Sequence, residues 1–450
     1  MTQLIKMKMR FKILITVLSL IIFSAEIYSQ GTWERIDSPT DQFLKSVHFV
    51  DSLYGWAAGY SGTIIHTSDG GDNWIVQDSK IDYEIVDVFF LHRNLGWAIA
   101  DKSDAPPYGT YILKTTNGGV TWQNSAYRDE NIFMNCVLFL DSLTGWMGGG
   151  PHALVKTTDG GINWEQADID STNLAFLPVY SIKFFNDRYG YACGGVHDAA
   201  GVAWRTSNGG EKWYPIKPED APADPIQEIH TIDSLNVIGI SGDIEGWYGI
   251  DVIRTSDGGV FWEYETLTHR GDPHDLDFRS DTEVWAPLGS DRVFIVSTDA
   301  STTWVHAPSP DSTAIYDLIF PDSLHGFAVG EEGAILKYNP PIVDDVKVIT
   351  QTTLNGYQLY QNYPNPFNPT TKIKFSIPTN EIGEASNVKI IVLDILGNEV
   401  ATILDKELLP GSYKIEFGAM IDNRQLVSGI YFYQLRAGGY IQTKKMLIVK

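Results

Sequence analysis

Two cysteines in 450 residues cannot build a disulfide scaffold. Basic side chains are also scarce: 33 Lys and Arg stand against 56 Asp and Glu, a formal net charge of −23. That shortage excludes a nucleic-acid binder, which needs a cationic face against phosphates. It equally excludes a polybasic membrane-surface protein. Apolar periodicity of 3.6 residues is missing, which removes helical repeat architectures. What is present is 43% hydrophobic residues, 41 Gly and 13 Trp. That is enough for a packed core of short strands punctuated by many turns.

The two ends differ from the middle. Lys6, Lys8, Arg10 and Lys12 precede thirteen uncharged residues from Ile13 to Ala25. The run is shorter than the ~17–25 residues of a membrane helix, so residues 1–29 read as a signal peptide. The mature chain then carries no integral membrane span and meets an oxidising compartment. Cys136 and Cys193 read as two separate buried thiols. Residues 350–450 hold ten basic and eight acidic side chains, and the first 29 hold four and one, so residues 30–349 carry −28. All thirteen Trp fall between Trp33 and Trp304. The composition break lies in "NPPIVDDVKVITQTT" (339–353), read as a linker.

Between the ends one phrase recurs: "GWAAGYSGTIIHTSDGGDNW" (55–74), "GTYILKTTNGGVTW" (109–122), "GWMGGGPHALVKTTDGGINW" (145–164), "WRTSNGGEKW" (204–213), "VIRTSDGGVFW" (252–262) and "FIVSTDASTTW" (294–304). Its closing residues Trp74, Trp122, Trp164, Trp213, Trp262 and Trp304 are spaced by 48, 42, 49, 49 and 42. Short apolar runs and Gly turns at that period predict four-stranded propeller blades. Within each turn Asp69, Asn117, Asp159, Asn208, Asp257 and Asp299 accept backbone N–H groups, and in all but the degenerate last one Gly supplies positive φ. The inner strands, such as "SVHFV" (46–50), are expected to be mostly apolar. A seventh unit, "GFAVGEEGAILKY" (326–338), lacks its last strand. "GTWERI" (31–36), with Trp33, supplies that strand and closes a seven-bladed ring over 31–338, removing exposed edges.

The turn phrase resembles the Asp-box of sialidase-type (BNR) repeats. With "GW-A-G" upstream it is more similar to propellers of the photosystem II stability/assembly factor family. The tail, 354–450, contains "NYPNPFNP" (362–369), "DILGNEV" and Lys444-Lys445. It resembles the type A C-terminal sorting domain of type IX secretion substrates. That resemblance implies the type IX machinery as partner and a secreted or outer-membrane-attached product. The fold expectation is therefore all-β: a seven-bladed propeller followed by a small Ig-like antiparallel sandwich.

Chemistry is thinly marked. No Gly-x-Ser-x-Gly, His-Glu-x-x-His or phosphate loop occurs, and the Arg-Ile-Pro phrase of sialidases is missing. No cofactor is implied, although an acidic loop leaves room for a cation such as calcium. The densest polar segment is "THRGDPHDLDFRSD" (268–281). Loops converging on the ring mouth bring a candidate ligand set of His152, His197, Asp198, Arg270, His274 and Asp275. Similar inter-blade loops offer Glu84, Arg128, Asp129, Glu130 and Asp224, and the second-to-third-strand loops add Asp101, Asp104, Tyr108, Glu245, Trp247 and Tyr248. His66, Lys114, Lys156, Arg205, Arg254 and Lys337 recur two residues before the Asp-box Ser/Thr, with stems expected to lie on their own blades. The leading reading is a monomeric, non-catalytic extracellular propeller binding glycan or protein at the cell surface. A glycan-active hydrolase using mouth carboxylates, and a structural part of a secreted assembly, are the alternatives.

Overall fold

The computed structural model describes residues 31–151, 153–170, 173–216, 224–242 and 249–340, and most of 347–449 apart from short gaps. Residues 1–29, read above as a signal peptide, and His152, Glu245, Trp247 and Tyr248 lie outside the described residues. No described helix is long and apolar enough to cross a membrane. The chain divides into two units, 33–339 and one containing 340–450.

Seven four-stranded antiparallel sheets make up the first unit. Six are sequential, spanning 44–77, 84–126, 133–166, 179–216, 226–266 and 277–308, hereafter blades 1 to 6. Blade 7 joins three strands from 315–339 to Thr32–Ile36, which is its outer strand. Trp33 is buried there, stacked on Phe294 at 5.4 Å and flanked by Trp285, Phe320 and Tyr338. A ring spanning residues 33–339 is thus held shut by an aromatic cluster.

The "GW" of the repeat follows from packing. The second-strand tryptophan stacks on the inner-strand phenylalanine of the next blade, Trp56 on Phe90 and Trp97 on Phe139, each at 3.5 Å. The preceding glycine lies beneath its own blade's phenylalanine. A Cβ at Gly55 would come within 2.3 Å of Phe49, and one at Gly96 within 2.5 Å of Phe90. The closing tryptophan completes the set edge-on, as Trp74 does to Phe49 and Trp122 to Phe90.

The inner strands depart from the expected apolar run. Six of them carry a register shift at the equivalent place, between Leu44/Ser46, Ile85/Asp87, Met134/Cys136, Val179/Ser181, Ile226/Glu228 and Ile315/Asp317. A bulge re-aims the next side chain, here a mostly polar one, toward the central axis.

The second unit is a sandwich of two four-stranded sheets. One orders Lys347–Thr350, Gly411–Gly418, Thr370–Ile377 and Gln358–Leu359. The other orders Glu399–Leu408, Ser386–Leu393, Gly429–Ala437 and Tyr440–Ile448. Lys347–Thr350 pairs with Gly411–Gly418, so the sandwich begins inside the segment read as linker. Its "KVIT" favours strand, a preference masked in the sequence by the neighbouring Pro and Asp residues. Phe375, Ile390, Tyr433 and Met446 fill the core. The Asn-Pro segment is pinned to this core: Tyr433 Oη accepts from Asn362 N at 2.8 Å, and Phe367 N donates to Leu447 O at 3.0 Å.

Candidate functional site

Three sets of polar side chains distinguish the propeller. The first lines the central axis and joins all seven blades. Ser46 of blade 1 donates to Asp87 of blade 2 at 2.9 Å, and Asp87 accepts from Val137 N of blade 3 at 2.8 Å. Asn135 reaches Val179 O of blade 4, and Ser181 donates to Glu228 of blade 5 at 2.6 Å. His230 lies 3.3 Å from Asp277, which with Asp275 accepts from blade 7 at Phe320 N and Leu318 N. Asp317 returns to Val47 N of blade 1 at 2.6 Å. The belt is closed.

Burial raises the carboxyls of Asp87 and Asp317, with the neighbouring Asp275 adding to the effect at Asp317. Burial also pushes Glu228 up to about 7, despite Lys183 at 3.4 Å. Lys183 is the central cation: burial opposes its charge, but Glu228, Asp275, Asp277 and Asp317 hold its ammonium well above its ordinary value. Both thiols are free and pushed up by burial, so neither is a poised nucleophile. The belt was missed in the sequence. Its signal was there: Ser46, Asp87, Cys136, Ser181, Glu228, Asp275 and Asp317 recur in phase with the tryptophans.

The second set is the Asp-box rim at the opposite end of the blades. In blade 3, Thr157 donates to Asp159 at 2.9 Å, and Asp159 accepts from Ile162 N, Asn163 N and Asn163 Nδ2. The same pattern recurs around Asp69, Asn117, Asn208, Asp257 and Asp299. The recurring cations latch adjacent blades. Lys114 lies over the Trp97 ring and donates to Gly160 O at 2.7 Å, Arg205 donates to Gly258 O at 2.7 Å, and Arg254 to Ser301 O. Lys156 and Lys337 do likewise toward Gly209 O and Asp72. His66 instead stacks on Trp56. These charges are committed to the ring itself.

The third set is the mouth, where the chain enters each inner strand. His197 Nδ1 lies 3.4 Å from Asp224 Oδ1, which also accepts from Asp198 N at 3.3 Å. Asp198 itself is exposed, with φ of 56°. Arg270 is exposed. His274 packs on Tyr316 at 4.6 Å, 3.4 Å from Asp272, and burial lowers it to about 4. Asp275, 5% exposed, belongs to the belt rather than to the rim. The set therefore divides: His197 and Asp198 gather on Asp224, while His274 gathers with Asp272 and Tyr316. No group of three metal-ligating side chains occurs among the described residues.

A hollow of about 490 Å³ opens on this same face over blade 2, between the loop at Lys80–Glu84 and Asp101, Asp104, Tyr111 and Asn124.

Two family descriptions match the chain. Photosynthesis system II assembly factor YCF48 matches residues 72–221 and 269–339, and the secretion system C-terminal sorting domain matches 361–450. It is a photosystem II assembly factor-like propeller with a type IX sorting tail. The Ycf48 assembly lipoprotein of Picosynechococcus is 26% identical over 346 residues, covering 73% of this chain and 93% of that protein. The chloroplastic factor HCF136 of Guillardia theta is 29% identical over 68 residues, 13% of this chain and 17% of that protein. A Ycf48 structure bound to a D1 peptide superposes with a TM-score of 0.54 at 20% identity, covering 68% of this chain and 96% of that one. A GH74 xyloglucanase from Xanthomonas campestris shares the fold at 0.52 and 12% identity, over 77% of this chain and 59% of its own. The sorting tail marks the assembly factor-like propeller for type IX secretion to the surface or medium.

Proposed function

We propose that this exported propeller is a non-catalytic recognition module, binding glycan or protein at the cell surface through its mouth. The observation that carries this reading is the commitment of the axial carboxylates. Asp87, Asp275, Asp277 and Asp317 each accept a backbone N–H from a neighbouring blade, so the acid-rich interior serves the ring and leaves recognition to the rim. Residues −28 in net charge repel polyanions at long range, which favours neutral sugars or basic segments. The protein arm is supported by the peptide complex of Ycf48. A hydrolytic reading would rest on Glu84 and Asp101, the latter raised to about 6 by burial, because glycosidases use carboxyls held apart in protonation state.

The secreted full chain, labelled and applied to producer cells stripped either of surface glycan or of surface protein, is expected to lose attachment to one class. No attachment to untreated cells sinks the reading. Release of reducing ends from cell-wall glycan by the wild-type chain, abolished by Asp101→Asn, favours the hydrolase instead. Chains ending before Tyr357 are expected to stay in the periplasm. Truncated protein in the medium at normal levels would contradict the role given to the tail.

A further inference from the structure

We propose that the hollow over blade 2 is a binding site for a neutral saccharide. This rests on the glycan arm of the reading above and gives it a place. Its 490 Å³ lies within the size range of built ligand sites. Glu84 and Asp101 are direct cross-strand partners, so their side chains share a face. Glu84 is held by Lys45 at 2.6 Å. Asp101 has no such partner: its Oδ1 is shut off from solvent without a hydrogen bond. A buried acceptor left unpaired costs roughly 1–3 kcal/mol, and a turn of the Asp101 carboxyl into the hollow it lines would bring that oxygen to a ligand hydroxyl.

The walls select the class of guest. Four carboxylates, from Asp82, Glu84, Asp101 and Asp104, repel an anion. Three lysines already stand around the hollow and weaken its pull on a further cation. Lys45 sits on Glu84, Lys80 pairs with Asp78 at the rim, and Lys102 lies 5.8 Å over the Tyr83 ring. What remains is a set of acceptors, the Asn124 amide, and the packed pair Tyr83 and Tyr111, 5.1 Å apart. Hydroxyl donors on a ring with apolar C–H faces match that remainder, and a sugar presents both.

Isothermal calorimetry of the secreted full chain with cellotetraose, xylotetraose, mannotetraose, maltotetraose and, as a cationic comparator, spermidine tests the site. At least one neutral tetrasaccharide is expected to bind, and to bind at least tenfold more weakly to Asp101→Ala and to Asn124→Ala. Asn124 is exposed on an outer strand, so its variant keeps the test valid if Asp101→Ala folds poorly. Equal affinity in a folded variant, no binding of any tetrasaccharide, or spermidine binding that both variants abolish would overturn the site. Parallel cell-attachment assays separate the two levels. Attachment without tetrasaccharide binding overturns the saccharide site alone, and absent attachment overturns the surface-binding reading.

Discussion

The propeller uses the same residue type in opposite ways at two places. On the Asp-box rim, Asp159 is drawn down to about 2 by the backbone and side-chain donors of Asn163, and Asp257 is lowered by the Phe261 N–H. These donors lie within four residues of the acceptor. Along the axis, burial raises Asp87, Glu228 and Asp317, and their partners come from other blades, 270 residues away for Asp317 and Val47. Local turns stabilise a charged carboxylate at the surface, whereas the belt accepts less favourable ionisation in exchange for tying blades together. The position of the donor, near or far along the chain, separates the two.

The largest effect expected on this contrast is at a far contact. Trp33→Ala removes the aromatic plug of blade 7, and unfolding is expected to become easier by ~3–5 kcal/mol, read by denaturant titration. An unchanged midpoint would mean that the ring is held elsewhere. Lys183→Met strips the belt of its central cation. Breaking a fully buried pair costs ~3–5 kcal/mol; 40% of this side chain remains accessible, so screening reduces the expected loss to about 2–3 kcal/mol. Stability equal to wild type would show that the belt tolerates its own repulsion.

The pH dependence sharpens the same comparison. Glu228 titrates near 7 in the fold against 4.5 ordinarily, so the folded chain retains a proton that the unfolded chain has shed between those values. Its contribution to stability is present below about pH 4.5 and is lost as pH rises toward 7. Asp159 works the other way, contributing above 3.8 and losing that contribution as pH falls toward 2. His48 and His274, each lowered to about 4, also lose stability on acidification. The clean measurement is therefore the difference between wild type and Glu228→Gln, which is expected to decline from pH 4.5 to 7. A flat difference would remove the belt's unusual proton. The smallest effect belongs to the rim: Asp69→Ala forfeits the Asn73 and Thr67 hydrogen bonds at one turn, about 1 kcal/mol by thermal melt. A larger loss than at Lys183 would reverse the ranking of near and far contacts.

Much of the fold was legible because its marks are local. Asp69 to Trp74 and the next four turns carry acceptor, glycines and tryptophan within six residues, Asp299 to Trp304 keeps the acceptor and tryptophan, and their recurrence counted the blades. Trp33 stood out as a tryptophan without a turn before it. The mouth was less legible. Loop position brought out His197, Asp198 and His274, but not that Asp275 turns inward to blade 7, because its partner, Leu318 N, lies 43 residues on. The strand Lys347–Thr350 was hidden for a related reason, since its partner lies more than 60 residues on.

By itself the sequence determined the blade repeat, the Asp-box turns, the tail and the overall charge, all properties of residues a few positions apart. Only the tertiary structure decided that Ser46, Asp87, Glu228, Asp275 and Asp317 form one belt, that the recurring cations latch neighbouring turns, and that Glu84 and Asp101 share a hollow. Each of these joins groups 17 to 270 residues apart. Residues that far apart in sequence become neighbours only when the sheets close into a ring, and the burial that shifts their protonation exists only then.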